Sequence, residues 1–511
     1  MLNAMTLGWS LTALSTWETP WSRPQRSWFS SSHHFWTNQV HSRVIHSRVG
    51  QQSWTILVAG ASGDLAKKKT YPALLELWKA QLLPRETVIW GFARTKKSTE
   101  EFRDHLRPYL QSKFPDTDVD SFLELCFYRN GNSYGDVDVI RSILRECSST
   151  NVLVYLAIPP HVFGETTEAL REAIRNLRIR GCLRVILEKP FGRDTASCQE
   201  LLDTLRRQNW SERELYRIDH YLGKEMVRNI VSMRQHNHWL RPLWNRHSVR
   251  SVHIIFKENF GTEGRGGYFD PYGIVRDVLQ NHLLQVLSLI AMELPDKWTA
   301  DNIRNAKVEV LKSIPTIAVD DCLLGQYVGY KDDRTIENRD TVTPTYACVR
   351  TWVNNETWRG VPFCLEAGKA LNERLCEVRL HFHGDDSSQP SALVFRLQPS
   401  PSLYIAANLK TPGYSETPVS SHLGVEYRSS ESPEAYTRLL LDTLRGHQES
   451  FVRDDELVAA WRIFTPVLQE TERRKIEPLP YVMGSTGPDN RHEFLHATGV
   501  GHAWLPPPSN L

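Results

Sequence analysis

The sequence predicts an α/β chain: a Rossmann-like dinucleotide-binding domain first, then a second domain. Three observations carry this. A length of 511 residues exceeds one ordinary domain. Near the start, a short apolar run leads into a glycine turn and then a helical pattern. Further apolar runs follow with helical stretches between them, and that alternation implies a parallel sheet with its ligand crevice at the strand C-terminal ends.

Residues 1–53 differ from the rest. They contain one acidic residue, Glu18, and no Lys, beside Arg23, Arg26, Arg43, Arg48 and non-periodic Trp9, Trp17, Trp21, Trp28 and Trp36. Such a stretch reads either as a disordered extension or as an organelle-targeting leader. No compact apolar stretch with a small-residue cleavage site points to secretion.

Trp54-Thr-Ile-Leu-Val-Ala59 reads as a buried parallel strand ending at Gly60. Gly60-Ala-Ser-Gly63-Asp-Leu-Ala-Lys-Lys-Lys69 supplies a turn without bulk, open to a pyrophosphate at a helix N-terminus. Only two glycines of the three-glycine fingerprint are present, so an ordinary βα loop competes with a coenzyme turn. A helix follows, with Leu74, Leu75, Leu77 and Trp78 apolar and a stop at Pro84. The second strand, Thr87–Ala93, ends at Arg94, Thr95, Lys96 and Lys97. An NAD site places a carboxylate there for the ribose hydroxyls; a guanidinium suits a 2′-phosphate, which favours NADP. Further strands are expected over 151–158 and 183–187. The latter runs into Glu188-Lys189-Pro-Phe-Gly192, which puts Lys189 at the crevice or merely in solvent.

Arg217-Ile-Asp219-His220-Tyr221-Leu-Gly-Lys224-Glu225 crowds donors suited to an anion around one carboxylate. Asp219 either caps a helix start or has a cationic or imidazole partner elsewhere. Next, an apolar strand precedes Glu258 and the glycine-rich Gly261–Asp270. Val275, Val278, Leu279, Leu283, Val286, Leu287 and Ile290 then mark the buried face of a helix. Asp277 and His282 ride on it five residues apart, a spacing that does not share one α-helical stripe. A single His on such a helix reads more readily as a core residue than as a catalyst.

Several segments, in order, resemble the glucose-6-phosphate dehydrogenase family. They are Gly60–Lys69, Glu188–Gly192, Arg217–Glu225, Gly261–Asp270, Gln280–Gln285, Gly368-Lys-Ala-Leu-Asn-Glu-Arg374 and Ala460-Trp-Arg-Ile-Phe-Thr-Pro466, within about residues 54–488. The resemblance implies oxidation of glucose 6-phosphate at C1 to the lactone, with hydride transfer to NADP+. It implies that His282 is the general base and Asp219 the carboxylate that orients it. His220, Tyr221 and Lys224 resemble the phosphate cradle. Lys189 resembles a lysine touching both sugar and coenzyme. Glu258, Asp277, Lys369, Arg374 and Gln398 resemble further substrate ligands. Gly60, Ser62, Gly63, Asp64, Leu65, Lys67 and Arg94 resemble the coenzyme site.

The resemblance also implies a division into a 1–53 extension, a 54–218 coenzyme domain, a 219–490 substrate and dimerisation domain of α+β type, and a 491–511 tail. The second domain is expected to carry a large, mainly antiparallel sheet, and strand patterns at 377–382 and 391–397 suit it. A homodimer or homotetramer follows by analogy. The expected place is the cytoplasm, or a plastid or other organelle if residues 1–53 are a transit peptide.

A second, structural NADP site of many eukaryotic members is expected to be weak or absent. Arg379, Arg396, Tyr404 and Trp504 resemble survivors of it, while Glu366, Leu375, Ala406 and Thr486 stand where the motif favours cations. A related sugar-phosphate dehydrogenase using NAD and NADP alike, or a non-catalytic nucleotide binder, are the alternatives. A formal charge of +2 argues against a nucleic-acid partner. No apolar run nears the roughly 20 residues of a membrane span. The eight cysteines are scattered, with no C-x-x-C pair, so no metal is expected.

Overall fold

The strand after residue 53 is buried along its whole length, and its side chains alternate between two cores. Ile56 and Val58 enter one core, Leu57 and Ala59 the other. Full burial contributes about 1.5–3 kcal/mol for each large aliphatic side chain. In this computed structural model the described residues are 53–146, 151–175, 177, 179, 181–384, 391–410, 412–426 and 432–500. Residues 1–52, which hold most of the expected extension, and Trp504 lie outside them.

The first sheet has six strands: β1 (Trp54–Ala59), β2 (Thr87–Ala93), β3 (Cys126–Asn130), β4 (Asn151–Leu156), β5 (Leu183–Leu187) and β6 (Leu215–Arg217). All pair in parallel, in the order β3-β2-β1-β4-β5-β6. This is the doubly wound order, whose switch point lies between β1 and β4. The expected strands at 54–59, 87–93 and 183–187 are met, and β4 ends two residues before Ile158. The helix Tyr71–Lys79 ends earlier than its Pro84 stop. Leu82 N–H donates to Leu77 O and Gln81 N–H to Trp78 O, with Gln81 at φ +56°, so a Schellman closure ends the helix first.

The second sheet has nine strands. In chain order they are β7 (Val249–Lys257), β8 (Cys322–Tyr327), β9 (Tyr346–Trp352), β10 (Pro362–Gly368), β11 (Leu375–Phe382), β12 (Ala392–Gln398), β13 (Ser402–Lys410), β14 (Pro418–Glu426) and β15 (Leu479–Tyr481). Pairings are antiparallel except β10 with β7 and β15 with β8. The expected α/β domain followed by an α+β domain is therefore the observed fold.

Register gathers distant residues at one end of this sheet. Gly368 pairs with Lys257 in parallel, so Lys369 and Glu258 leave the sheet side by side. Leu375 pairs with Lys257 in the opposite sense, which brings Arg374 to the same end. Gln398 pairs with Cys376 and joins them.

The 435–445 helix returns to the first domain. Leu439, Leu440 and Leu444 pack in the core under β1 and β4. Gly223 permits its approach, since a Cβ there would lie 2.5 Å from Ala435 O. No helix among the described residues is long and apolar enough to cross a membrane.

Candidate active site

The C-terminal ends of the parallel strands face the collecting end of the second sheet across a cavity of about 550 Å³. Lys189, His220, Tyr221, Lys224, Glu258, Asp277, His282, Arg374 and Gln398 all line it. Lys369 joins through its ammonium, 2.6 Å from Glu258 Oε2 and 3.9 Å from Asp277 Oδ2. Each proposed catalytic and substrate residue is thus at one site.

His282 Nδ1 lies 2.6 Å from Asp219 Oδ1, and both side chains are buried. The same oxygen accepts the Tyr221 N–H at 2.9 Å. Asp219 therefore both caps the short turn His220–Gly223 and holds an imidazole 63 residues away, so the two sequence readings of it are both met. The rings of Tyr221 and His220 each sit 4.5 Å from His282.

Helix winding brings His282 and Asp277 together. Val275–Leu283 is wound as a π-helix. Bonding from i to i+5 widens the turn beyond the 3.6 residues of an α-helix, so residues five apart come round near one face. The expectation that Asp277 and His282 fall on different stripes is corrected on this ground. The remaining heptad-like pattern is as expected, with Val278, Leu279, Leu283, Val286, Leu287 and Ile290 buried.

Charges are strongly coupled here. Burial opposes ionisation of Asp219, but the His282 imidazole outweighs it and holds the carboxyl well below the ordinary carboxylate range. Burial also depresses His282; Asp219 opposes this and Lys189 reinforces it, so His282 titrates below its ordinary value and is neutral at neutral pH. His220 is lowered further by burial and by His282. Lys189 donates to Asp277 O at 2.8 Å and to Asp277 Oδ1 at 3.3 Å. Burial would raise Asp277, but Lys189 and Lys369 keep it below the ordinary carboxylate range. Lys224 donates to Gln398 Oε1 at 3.1 Å, and burial lowers its pKa.

The nucleotide turn lies at the ends of β1 and β2. Gly60 has φ +82°, and a Cβ there would lie 2.2 Å from Ala157 O, so only glycine fits. Gly63 N–H donates to Gly60 O at 2.9 Å and tightens the loop. Ser62 Oγ is 3.3 Å from Thr95 Oγ1, which ties the turn to the end of β2. Asp64 pairs with Lys67 at 2.8 Å, and Leu65 is half-buried at the helix entry. Arg94 is exposed with its guanidinium 5.4 Å from the Tyr134 ring centroid. A glycine turn that a Cβ would fill, with a guanidinium at the second strand's end, fits a 2′-phosphorylated dinucleotide.

Some lining residues escaped the sequence reading. Lys69, Glu434 and Tyr436 also border the cavity. Tyr436 lies parallel to His220 with ring centroids 5.9 Å apart. Lys69 ends the lysine run after the turn, where a charge-facing helix was the only signal. Tyr436 comes from the returning helix and had none.

Fold and site together define a nicotinamide-nucleotide-dependent oxidoreductase of the Rossmann class. Two family models match, described as the NAD binding domain and the C-terminal domain of glucose-6-phosphate dehydrogenase, over residues 57–229 and 231–505. The chain belongs to the glucose-6-phosphate dehydrogenase family. It is 44% identical over 482 residues to the cytoplasmic isoform of glucose-6-phosphate 1-dehydrogenase of Solanum tuberosum, covering 89% of this chain and 94% of that protein. It is 47% identical over 463 residues to glucose-6-phosphate 1-dehydrogenase of Ceratitis capitata, covering 85% and 87%. A solved structure described as glucose-6-phosphate dehydrogenase in complex with its substrate glucose-6-phosphate matches with a TM-score of 0.81 at 40% identity, covering 89% of this chain and 99% of that one.

Proposed function

We propose that this chain oxidises glucose 6-phosphate at C1 to 6-phosphogluconolactone with NADP+ as acceptor, the entry step of an oxidative pentose phosphate route. The buried Asp219–His282 pair on the wall of a cation-bordered cavity carries the reading.

Asp219 accepts the Nδ1 proton of His282 and leaves Nε2 with its lone pair toward the substrate. His282 takes the C1 hydroxyl proton at Nε2, and the Asp219 carboxylate stabilises the resulting imidazolium. NADP+, when bound, supplies the hydride acceptor. Lys224, His220 and Tyr221 bind the 6-phosphate; Lys224 carries the charge, while the lowered His220 acts as a neutral hydrogen-bonding group. Glu258 and Asp277 orient sugar hydroxyls, and Lys189 and Lys369 fix these carboxylates. Arg374 and Gln398 close the rim. Gly60, Ser62, Gly63, Asp64, Leu65 and Lys67 cradle the coenzyme, and Arg94 contacts its 2′-phosphate.

The test compares glucose 6-phosphate with free glucose, and NADP+ with NAD+, by formation of reduced nicotinamide. Far higher turnover of the phosphorylated sugar than of free glucose is expected. Absence of turnover with glucose 6-phosphate and either coenzyme overturns the function.

We further propose a homodimer through the nine-stranded sheet. On β14, Val419, Leu423 and Val425 share one face and are 41%, 57% and 59% exposed, an apolar row at a sheet edge that association would cover. Sedimentation as a dimer or a dimer of dimers is expected; a monomer overturns it. Relatives include the cytoplasmic isoform and a chloroplastic one from Solanum tuberosum, 42% identical over 478 residues and covering 87% of this chain and 82% of that protein. We propose the cytoplasm as its place, with a plastid or other organelle the alternative if residues 1–53 are a transit peptide.

A further inference from the structure

Beside the Asp219–His282 pair lies a second, small space of about 20 Å³. Its polar wall includes Lys189, Asp219, Gln280, Asn281 and Gln285, and Leu457 and Trp461 border it. Two acceptors here lack a donor among the described residues: Asp219 Oδ2 and Gln285 Oε1. Both residues are 3% exposed. Lys189, Asn281 and Trp461 on this wall are committed elsewhere, Lys189 to Asp277. Asn281 Nδ2 donates to Arg276 O, Asn281 Oδ1 accepts the His282 N–H, and Trp461 Nε1 donates to Phe191 O.

Two buried acceptors without donors are costly, at about 1–3 kcal/mol each. A space of roughly 10–15 Å³ or more, walled by polar groups, accommodates one water. Water offers two donors, and the two acceptors border one space. Gln285 follows His282 by three residues, so its amide comes from the same helical run that carries the imidazole.

We propose that Gln285 is a positioning residue for catalysis: through one water held in this small space it anchors Oδ2 of Asp219, which keeps Oδ1 aligned on His282. The inference rests on the function proposed above. The carboxylate is thereby held at both oxygens, by the Tyr221 N–H and His282 at Oδ1 and by the water at Oδ2. Without the second anchor the carboxylate can rotate about its Cβ–Cγ bond, and His282 loses its fixed tautomer. Loss of the anchoring donor also leaves more uncompensated charge on Oδ2, which favours the imidazolium, so the His282 proton is held more tightly. Other charged or titratable groups facing the pair are Glu188 and Lys189 after β5, His220 and Tyr221 on the following turn, and Asp277 on the same helix as His282. They are unchanged when Gln285 is replaced.

The experiment uses the full chain and Gln285→Met, which keeps length and removes the amide. Two readouts apply. In crystals diffracting well enough to order solvent, density is expected between Asp219 Oδ2 and Gln285 Oε1 in the wild type; a dry space overturns the proposal. In kinetics, Gln285→Met is expected to lower kcat roughly 10-fold with KM for glucose 6-phosphate nearly unchanged, and to move the acid limb of kcat/KM to higher pH. A parallel loss of thermal stability with unaltered kcat and pH profile would show a merely structural role and overturn it. Gln285→Glu, which restores an acceptor at the same reach, tests the variant's fold and is expected to recover part of kcat. If the wild type fails to oxidise glucose 6-phosphate, the function falls. The solvent density, and the His282 titration followed by NMR in wild type and Gln285→Met, then still decide the role of Gln285.

Discussion

His282 Nδ1 and Asp219 Oδ1 are 2.6 Å apart within a buried pocket of aromatic rings. The pairing fixes which nitrogen is free, and it fixes the sign of the pH dependence. His282 must be neutral to accept a proton, so the rate falls as pH drops through its pKa. Burial places that pKa below the ordinary value of about 6.5, so the acid limb of kcat/KM is expected below that pH. His282→Asn should reduce kcat by roughly 10²–10⁴-fold. A loss under about tenfold would mean that the proton goes elsewhere.

Asp219→Asn should also cut kcat strongly, but with a diagnostic pH shift. Asp219 is the largest influence raising the His282 pKa. Its removal should move the acid limb further down, opposite to the direction expected for Gln285→Met. A pH–rate profile of the residual activity measures this.

Lys224 is a half-buried cation on the wall of the proposed phosphate site, 4.8 Å from the Tyr221 ring centroid and bonded to Gln398. Replacing it with Ala removes a charge-assisted bond of about 1.5–3 kcal/mol. KM for glucose 6-phosphate should rise roughly 10- to 100-fold. Activity on free glucose, which lacks the anion, should hardly change. Equal losses on both sugars would remove Lys224 from the phosphate site.

The part of this site that was legible in the sequence is the part made locally. β1, β2 and β5 are continuous apolar runs bounded by glycine, a charged turn or proline, and a short stretch suffices to read them. The Gly60 turn and Arg94 were legible for the same reason. What stayed hidden depends on contacts over long separations or on backbone winding. Asp219 meets His282 across 63 residues, and Tyr436 reaches His220 only because Gly223 lets the returning helix close in. The π-wound turn that aligns Asp277 with His282 leaves no periodic mark, because its apolar residues also satisfy an α-helical stripe. Resemblance to a family, not pattern, moved His282 from a core residue to a proposed catalytic one.

Arg94 is exposed, so its contribution is screened and modest. Arg94→Ala should raise KM for NADP+ roughly tenfold and leave KM for NAD+ unchanged, because only the 2′-phosphate distinguishes them. Steady-state kinetics with both coenzymes measure this. Equal efficiency of wild-type enzyme with NAD+ and NADP+ would favour a dual-coenzyme enzyme instead.

Glu366 stands where family resemblance leads one to expect a cation, and its surroundings are rebuilt around it. Arg491 Nε donates to Oε1 at 2.6 Å and Arg491 Nη2 to Oε2 at 2.9 Å, while His253 Nε2 lies 2.9 Å from Oε2. Burial disfavours the Glu366 charge, yet Arg491 and His253 overcome it and hold the carboxyl well below the ordinary range. The nearby cations Arg379 and Arg396 both bond the buried carboxylate of Glu377. Leu375 and Ala406 are buried and apolar, and Thr486 is uncharged. Arg379, Arg396 and Arg491 are thus each paired with a buried carboxylate, which supports the expectation that a second phosphate-rich ligand binds weakly or not at all. Titrating the His282→Asn protein with NADP+ should reveal one tight site per subunit; two would sink this reading. The same network makes Arg491 a stability determinant. Arg491→Ala strands a buried carboxylate and should cost about 3–5 kcal/mol in denaturant unfolding. Adding Glu366→Gln removes the stranded charge and should recover part of that loss, so the two substitutions should be strongly non-additive in a double-mutant cycle. Additive losses would show that the pair contributes no coupling.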